Sequence, residues 1–342
     1  MDDKLRELLF KEFHIKSCRF DFLEALLFIC ITGVGYLLRT PFEAGIPSWI
    51  FLLAEWYTAL AAAVLIRRAT KSRKRALGTY AILMILPTTV AEGTILRGNG
   101  CVGALLLICA LLFLQQKKRW LFVLISALLL LWSVKYIGIL FACMVLWQRE
   151  RLKSEHLLVL LLAGGARFMA AYHAWLGAGY TLDTFHWFNI YEIVGKEAVQ
   201  GQLIDPGALV GLFLALGGAA LAVYVCSLGK SCETDASNEM YACLHLLLFF
   251  GLLAGYLLPY MDQSYGYLYG ILGVLYFMLS VKEFFVPMLL QIVVYGGYQE
   301  CFNGVSMMPG AVFAAIQFLL ILWLGVRLLQ EAKIFDLCRQ KS

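Results

Sequence analysis

Residues 120–147 read WLFVLISALLLLWSVKYIGILFACMVLW, an apolar run in which Lys135 is the only charged side chain. About 20 apolar residues are enough for a helix to cross the hydrocarbon core of a bilayer. The run is too long for one upright span, and it contains a cation that is costly to bury in lipid. It therefore predicts two short membrane helices, 120–134 and 136–147, that meet near Lys135.

Similar apolar segments fill most of the chain. Of its 342 residues, 61% are hydrophobic and only 15% are charged, a composition typical of a polytopic membrane protein. The prediction is an all-α fold of about twelve transmembrane or re-entrant helices, which form a single domain over residues 22–330. The other ten predicted segments are 22–38, 49–66, 76–91, 101–114, 156–175, 206–228, 240–259, 265–281, 284–298 and 310–327.

The basic residues predict how the chain is oriented. With the N-terminus in the cytoplasm, 23 of the 28 Lys and Arg residues fall on the inner side, as the positive-inside rule requires. The C-terminal tail, 331–342, is then also cytoplasmic, which needs an even number of spans. One long tilted helix at 120–147 satisfies hydropathy equally well, but it would place Arg149–Lys153 outside.

The net charge of +5 follows from this topology, because the inner membrane surface is anionic. Membrane lipid is therefore an expected partner, and no nucleic acid is needed to explain the charge. The N-terminal segment 1–21 mixes charged residues with apolar ones such as Leu8 and Phe13, so we expect it to lie along the inner interface.

Candidate functional residues lie in the predicted outer loops, because ionisable groups near the ends of membrane helices often mark a site or a pathway. One cluster is Glu92, Arg97 and Asn99. Arg97 is suited to bidentate phosphate binding, although an Arg beside a Glu also fits a simple interfacial salt bridge. Lys135, followed by Tyr136, is the second candidate cation, with a snorkelling side chain as the alternative. The predicted outer loops are 39–48, 92–100, 176–205, 260–264 and 299–309.

The longest outer loop contains Asp183, His186, Asn189 and Tyr191. Asp183 and His186 are spaced to pair on one helical turn. The aromatic residues of this loop also fit an ordinary interfacial belt.

A tight outer turn carries Asp262, Gln263 and Tyr265. A carboxylate there, close to Arg97 or Lys135, would form a phosphosugar site. Glu43 and Glu55 are candidate general bases, provided that they face a cavity open to lipid; a solvated or helix-end charge is the alternative.

Four stretches, in this order, resemble the GT-C superfamily of multi-pass glycosyltransferases that use polyprenyl-phosphate sugars. The resemblance is to bacterial proteins related to the GPI-anchor mannosyltransferases and covers about residues 80–300. The stretches are LPTTVAEGTILRGNGC at 86–101, SVKYIGILF at 133–141, WFNIYEIVG at 187–195 and LPYMDQSYGYLY at 258–269. The last is similar to the family loop LPxMHERYFF, and Lys135 matches a family lysine.

Several functional residues of the family motifs are replaced in this chain. A family Trp-Gly-Gln is Arg97, Gly98 and Asn99 here, and the family His-Glu-Arg is Asp262, Gln263 and Ser264. The family places a catalytic Asp in the first outer loop, where this chain has Glu43.

The resemblance implies transfer of a hexose such as mannose from a polyprenyl-phosphate-linked sugar to a glycan or glycolipid acceptor on the outer face. Glu43 would be the base, and Arg97 and Lys135 would bind the leaving phosphate. A divalent metal is optional, with oxygen ligands from Glu43, Asp183 and Asp262. The main alternative is a non-catalytic relative that binds lipid-linked glycan or scaffolds envelope-glycan assembly. A secondary transporter is less favoured, since no inverted repeat is evident.

Overall fold

The computed structural model describes residues 12–15, 18–40, 49–96, 98–148, 151–177, 188–194, 217–218, 236–258 and 261–340. These residues are helical apart from one short hairpin and the connections. The first helices in chain order are α1 (Phe22–Leu37), α2 (Trp49–Thr70), α3 (Arg73–Ile85), α4 (Pro87–Val90), α5 (Gly100–Gln115), α6 (Arg119–Trp132) and α7 (Gly138–Gln148). They are followed by α8 (Ser154–Gly177), α9 (Ile190–Val194), α10 (Ala236–Leu257), α11 (Gln263–Leu279), α12 (Phe285–Asn303) and α13 (Gly310–Gln340).

The N-terminal segment contains a hairpin that was not predicted from the sequence. Strands β1 (Glu12–Ile15) and β2 (Cys18–Asp21) pair antiparallel, with Glu12 opposite Asp21. Charged and apolar residues alternate in EFHI, which suits a strand. Asp21 and Glu24 then form a capping box at the start of α1, and Arg73 lies 3.5 Å from Asp21, which ties the hairpin to α3.

The predicted break in the run 120–147 is confirmed. α6 ends at Trp132, Ser133 is extended, and a 3₁₀ turn, Val134–Tyr136, leads into α7. The hydroxyl of Ser133 accepts a hydrogen bond from the backbone N–H of Lys135, which caps the turn. Lys135 therefore lies between two short helices.

The predicted segment 76–91 is bent, not straight. α3 stops before Pro87, and the helix that follows is turned by 51° and ends in a π-helical turn, Ala91–Ile95. Leu86 is non-helical because the residue before a proline is disfavoured in the α conformation.

By length and composition, four helices in the described part of the chain can cross a membrane. They are Trp49–Thr70, Ser154–Ala171, Glu239–Leu257 and Gly310–Leu328, and the bent pair of α3 and α4 adds a fifth if it is one span. Shorter apolar helices include α1, α5 and α6. The predicted segment 206–228 falls outside the described residues except at Gly217 and Gly218.

α10 and α11 form the centre of the molecule. α10 packs against α7, α11 and α13, while α11 also contacts α12, α5 and α3. Both helices are almost wholly buried, whereas α6 exposes an apolar face that includes Leu124, Leu128 and Leu131. A buried centre with apolar helices outside is the arrangement expected of a membrane domain.

The side chain of Glu283 connects the C-terminal helix α13 to α11. Glu283 is buried; it accepts a hydrogen bond from Tyr276 and pairs with Arg327 of α13 at 3.0 Å. Arg327 also lies over the ring of Trp323. α13 then continues as helix to Gln340, so most of the predicted C-terminal tail is helical.

Candidate functional site

Lys135 and Asp262 meet although 127 positions separate them in the chain. The break between α6 and α7 presents Lys135, and Asp262 is the N-cap residue of α11. The ammonium nitrogen of Lys135 lies 2.6 Å from Oδ1 and 2.7 Å from Oδ2 of Asp262. Their side chains are 25% and 38% exposed, so this ion pair is open on one side. The structure thus brings together a predicted cation and a predicted carboxylate.

Ser264 completes the group. Its hydroxyl donates to Oδ1 of Asp262 at 2.6 Å and accepts a hydrogen bond from Lys135. We refer to Lys135, Asp262 and Ser264 as the outer triad, after the side of the membrane on which the sequence predicts them. Ser264 was not a predicted site residue, and only its place in the altered family loop pointed to it.

Buried tyrosines hold the outer triad in place. The hydroxyl of Tyr269 donates to the backbone carbonyl of Lys135 at 3.2 Å, and Tyr265 donates to the carbonyl of Gly251. Gly251 has no room for a Cβ because the ring of Tyr269 lies against it. Tyr136, also buried, places its hydroxyl against Gly103 of α5. Tyr136 and Tyr265, both predicted as substrate ligands, are thus buried and make packing contacts in this structure.

Glu92 is fully buried beside the outer triad. Its Oε1 accepts from the N–H of Gly100 at 3.0 Å, and its Oε2 accepts from the hydroxyl of Tyr298 at 2.7 Å. It is also within electrostatic range of Lys135 and Asp262. A Cβ on Gly98 or Gly100 would collide with this carboxylate. The described contacts of Glu92 hold the turn at 98–100, and the salt bridge to Arg97 that the sequence suggested falls on a residue outside the described part of the chain.

A second buried ion pair joins Arg39 and Glu55. Arg39 Nε lies 2.8 Å from Glu55 Oε2, and Arg39 Nη1 donates to the carbonyls of Gly35 and Met84. Both side chains are buried, so Glu55 is neither a solvated charge nor open to a substrate. Burial therefore argues against its prediction as a general base. Arg39 was assigned only to an outer loop, and its pairing was missed.

Two predicted substrate ligands from the longest outer loop, Asn189 and Tyr191, lie in the segment that packs against the start of α13. Oδ1 of Asn189 accepts from the N–H of Tyr191 at 3.1 Å and so caps the short helix α9. Phe188 stacks on Phe313, and Glu192 lies against Gly310, the first residue of α13. Asn189 and Tyr191, both buried, therefore help to dock this segment onto α13.

The remaining predicted residues are placed as follows. Asn99 is exposed in the turn before α5, and Gln263 is half-buried at the first position of α11. Glu43, Arg97, Asp183 and His186 lie outside the described residues. Within the described ranges, no three His, Cys, Asp or Glu side chains are grouped so that they could hold a metal ion.

Comparison with protein-family models, with curated proteins and with solved structures found no match to this chain. The class that the fold defines is a helical protein with several helices apolar enough for a membrane. The GT-C resemblance stays a prediction from the sequence motifs.

Proposed function

We propose that this chain is a multi-pass protein of the cell membrane with twelve membrane segments, a GT-C-like arrangement and both termini in the cytoplasm. The apolar helices of the described part, the confirmed break at Lys135 and the distribution of basic residues support this proposal.

The proposed activity is transfer of a hexose from a polyprenyl phosphate to an acceptor hydroxyl at the outer face. The observation that carries it is the outer triad, an ammonium and a carboxylate that are partly exposed among apolar helices. Charged groups in such surroundings are costly and usually serve a substrate or ion. The type of reaction is the one that the family resemblance implies.

In the proposed reaction the acceptor oxygen attacks the anomeric carbon, and the bond from that carbon to the phosphate oxygen breaks. The polyprenyl phosphate leaves with the electron pair, and the acceptor proton passes to a carboxylate. Glu43 is the predicted carboxylate, and Arg97 and Lys135 are the predicted phosphate ligands.

The second candidate is a non-catalytic protein that binds lipid-linked glycan. It is favoured by the state of the described carboxylates near the triad. Glu92 is fully buried with both oxygens bonded, and Asp262 is paired with Lys135. Neither is an unpaired base, so catalysis depends on Glu43.

The test is transfer of radiolabelled hexose from a polyprenyl-phosphate donor by the purified protein in liposomes. We expect labelled acceptor with the wild type and none with Glu43→Gln, which keeps the shape of the side chain but removes the base. Binding of the donor without turnover across donors and acceptors would favour the second candidate. Transfer undiminished in Glu43→Gln would show that another group is the base.

A further inference from the structure

In the outer triad, the hydrogen-bond donors of Lys135 are all in use, whereas Asp262 keeps an acceptor position. A lysine ammonium has three N–H donors and no acceptor. Here the ammonium of Lys135 has three partners, the two oxygens of Asp262 and the hydroxyl of Ser264. No donor of Lys135 is left over for a phosphate oxygen.

Acceptor capacity, in contrast, remains at Asp262. An ionised carboxylate offers about four lone-pair positions. Lys135 takes one on each oxygen, and Ser264 takes a second on Oδ1. Oδ2 therefore keeps an acceptor position, and the side chain is 38% exposed.

The charges of the triad also disfavour a phosphate as its ligand. Lys135 and Asp262 neutralise each other, and Glu92 lies within electrostatic range of both. The ion pair therefore leaves no net positive charge on the triad that would attract a phosphate. A neutral ligand rich in hydroxyl donors meets neither obstacle.

We propose that the outer triad binds hydroxyl groups of the sugar, with Asp262 as the acceptor and Lys135 as the residue that orients Asp262. The phosphate of the donor is then held elsewhere, so this inference replaces the role of phosphate ligand that the family resemblance implies for Lys135. This inference rests on the proposed function, since it divides the same lipid-linked substrate into a sugar end and a phosphate end.

The experiment compares two radiolabelled lipids, polyprenyl-phosphate mannose and the sugar-free polyprenyl phosphate, in equilibrium binding to the full-length protein in nanodiscs. Asp262→Asn keeps the shape but converts one acceptor to a donor. We expect it to weaken binding of the sugar-bearing lipid about tenfold or more, because a hydrogen bond to a charged group is lost. Binding of the sugar-free lipid should not weaken, because the variant removes a negative charge and frees a donor of Lys135.

Ser264→Ala tests the inference by a gain that misfolding cannot produce. It releases one N–H of Lys135, so the sugar-free phosphate should bind roughly threefold or more tighter than to the wild type. Glu239→Gln is the matched control, because it removes a carboxylate that pairs with Arg151, a residue of the predicted inner side. It should leave both affinities unchanged.

Each outcome separates the two proposals. If the wild type binds neither lipid, the proposed function fails and the inference fails with it. If both lipids bind but Asp262→Asn weakens them equally, or Lys135→Gln abolishes binding of the sugar-free lipid, only the inference is overturned. Lys135 would then be a phosphate ligand.

Discussion

The buried carboxylate of Glu92 leaves no room for a side chain larger than glycine at position 100. The carboxylate of Glu92 occupies the space where a Cβ of Gly100 would lie. Gly100→Ala should therefore lower the free energy of unfolding by about 1–3 kcal/mol through overpacking. Thermal unfolding in detergent measures this change. Gly165→Ala in α8 is the control, because nothing lies within 4 Å of a Cβ there, and it should be neutral or slightly stabilising.

A double variant of Gly100 and Glu92 tests their contact more directly. Removal of the carboxylate in Glu92→Ala should relieve the collision, so the double variant should lose less than the sum of the two single variants. Strict additivity would mean that Gly100 and Glu92 do not meet.

Glu55 leads to a prediction about an unpaired charge. Glu55→Ala leaves the guanidinium of Arg39 buried without its anion, which should cost about 3–5 kcal/mol. Glu155→Ala is the comparison, because Glu155 lies 3.6 Å from Lys153 in an exposed pair. Exposed pairs contribute about 0–1 kcal/mol. Equal losses in the unfolding assay would argue against the buried pairing.

At the scale of single residues, the sequence indicated Lys135 and Asp262 because each is an isolated charge beside apolar segments. It could not indicate the bond from Tyr298 to Glu92, since the partners are 206 positions apart and nothing in either segment marks the other. Arg39 and Glu55 were visible as charges, but their burial depends on helices packed around them.

The bend between α3 and α4 depends on one threonine. The carbonyl of Leu83 would receive a helical bond from residue 87, but Pro87 has no N–H. The hydroxyl of Thr89 lies within hydrogen-bonding distance of this carbonyl, at 2.9 Å, and of the carbonyl of Leu86, at 2.7 Å. In this bent element the side chain of Thr89 therefore satisfies the carbonyl that the proline leaves without a partner.

Thr89→Val should lower the free energy of unfolding by about 1–3 kcal/mol, because a buried carbonyl loses its partner. Thr58→Val is a matched control, since Thr58 is equally buried and donates to the carbonyl of Ala54 within the regular helix α2. It should change stability much less. A similar loss in both variants would show that the bend does not need Thr89.

Among the elements, the pair of helices at 120–147 was predictable, because Lys135 interrupts the run and a single crossing would place Arg149–Lys153 outside. The bend at Pro87 was not, since a proline at the first turn of a helix and a proline in a kink look alike in sequence. The hairpin at 12–21 was missed because its charges suggested only an interface.

For the whole molecule, the orientation is open to direct measurement. Lys71 and Lys74 are exposed in the predicted inner loop, and Val305 is exposed in the predicted outer loop. In a cysteine-free background, we expect Val305→Cys to react with an impermeant thiol reagent in intact cells. Lys74→Cys should react only after the membrane is opened. Labelling of Lys74→Cys from outside would reverse the proposed topology.

The pairing of Arg39 with Glu55 also bears on how the chain is made. A charge released by the translocon into lipid is costly, by up to about 2.5–3.5 kcal/mol, the value for the centre of a helix. Arg39 follows α1 and Glu55 lies in α2, the next helix to be synthesised, so each charge meets its counter-ion only when both have emerged. We therefore expect α1 and α2 to enter the bilayer as one unit during biosynthesis.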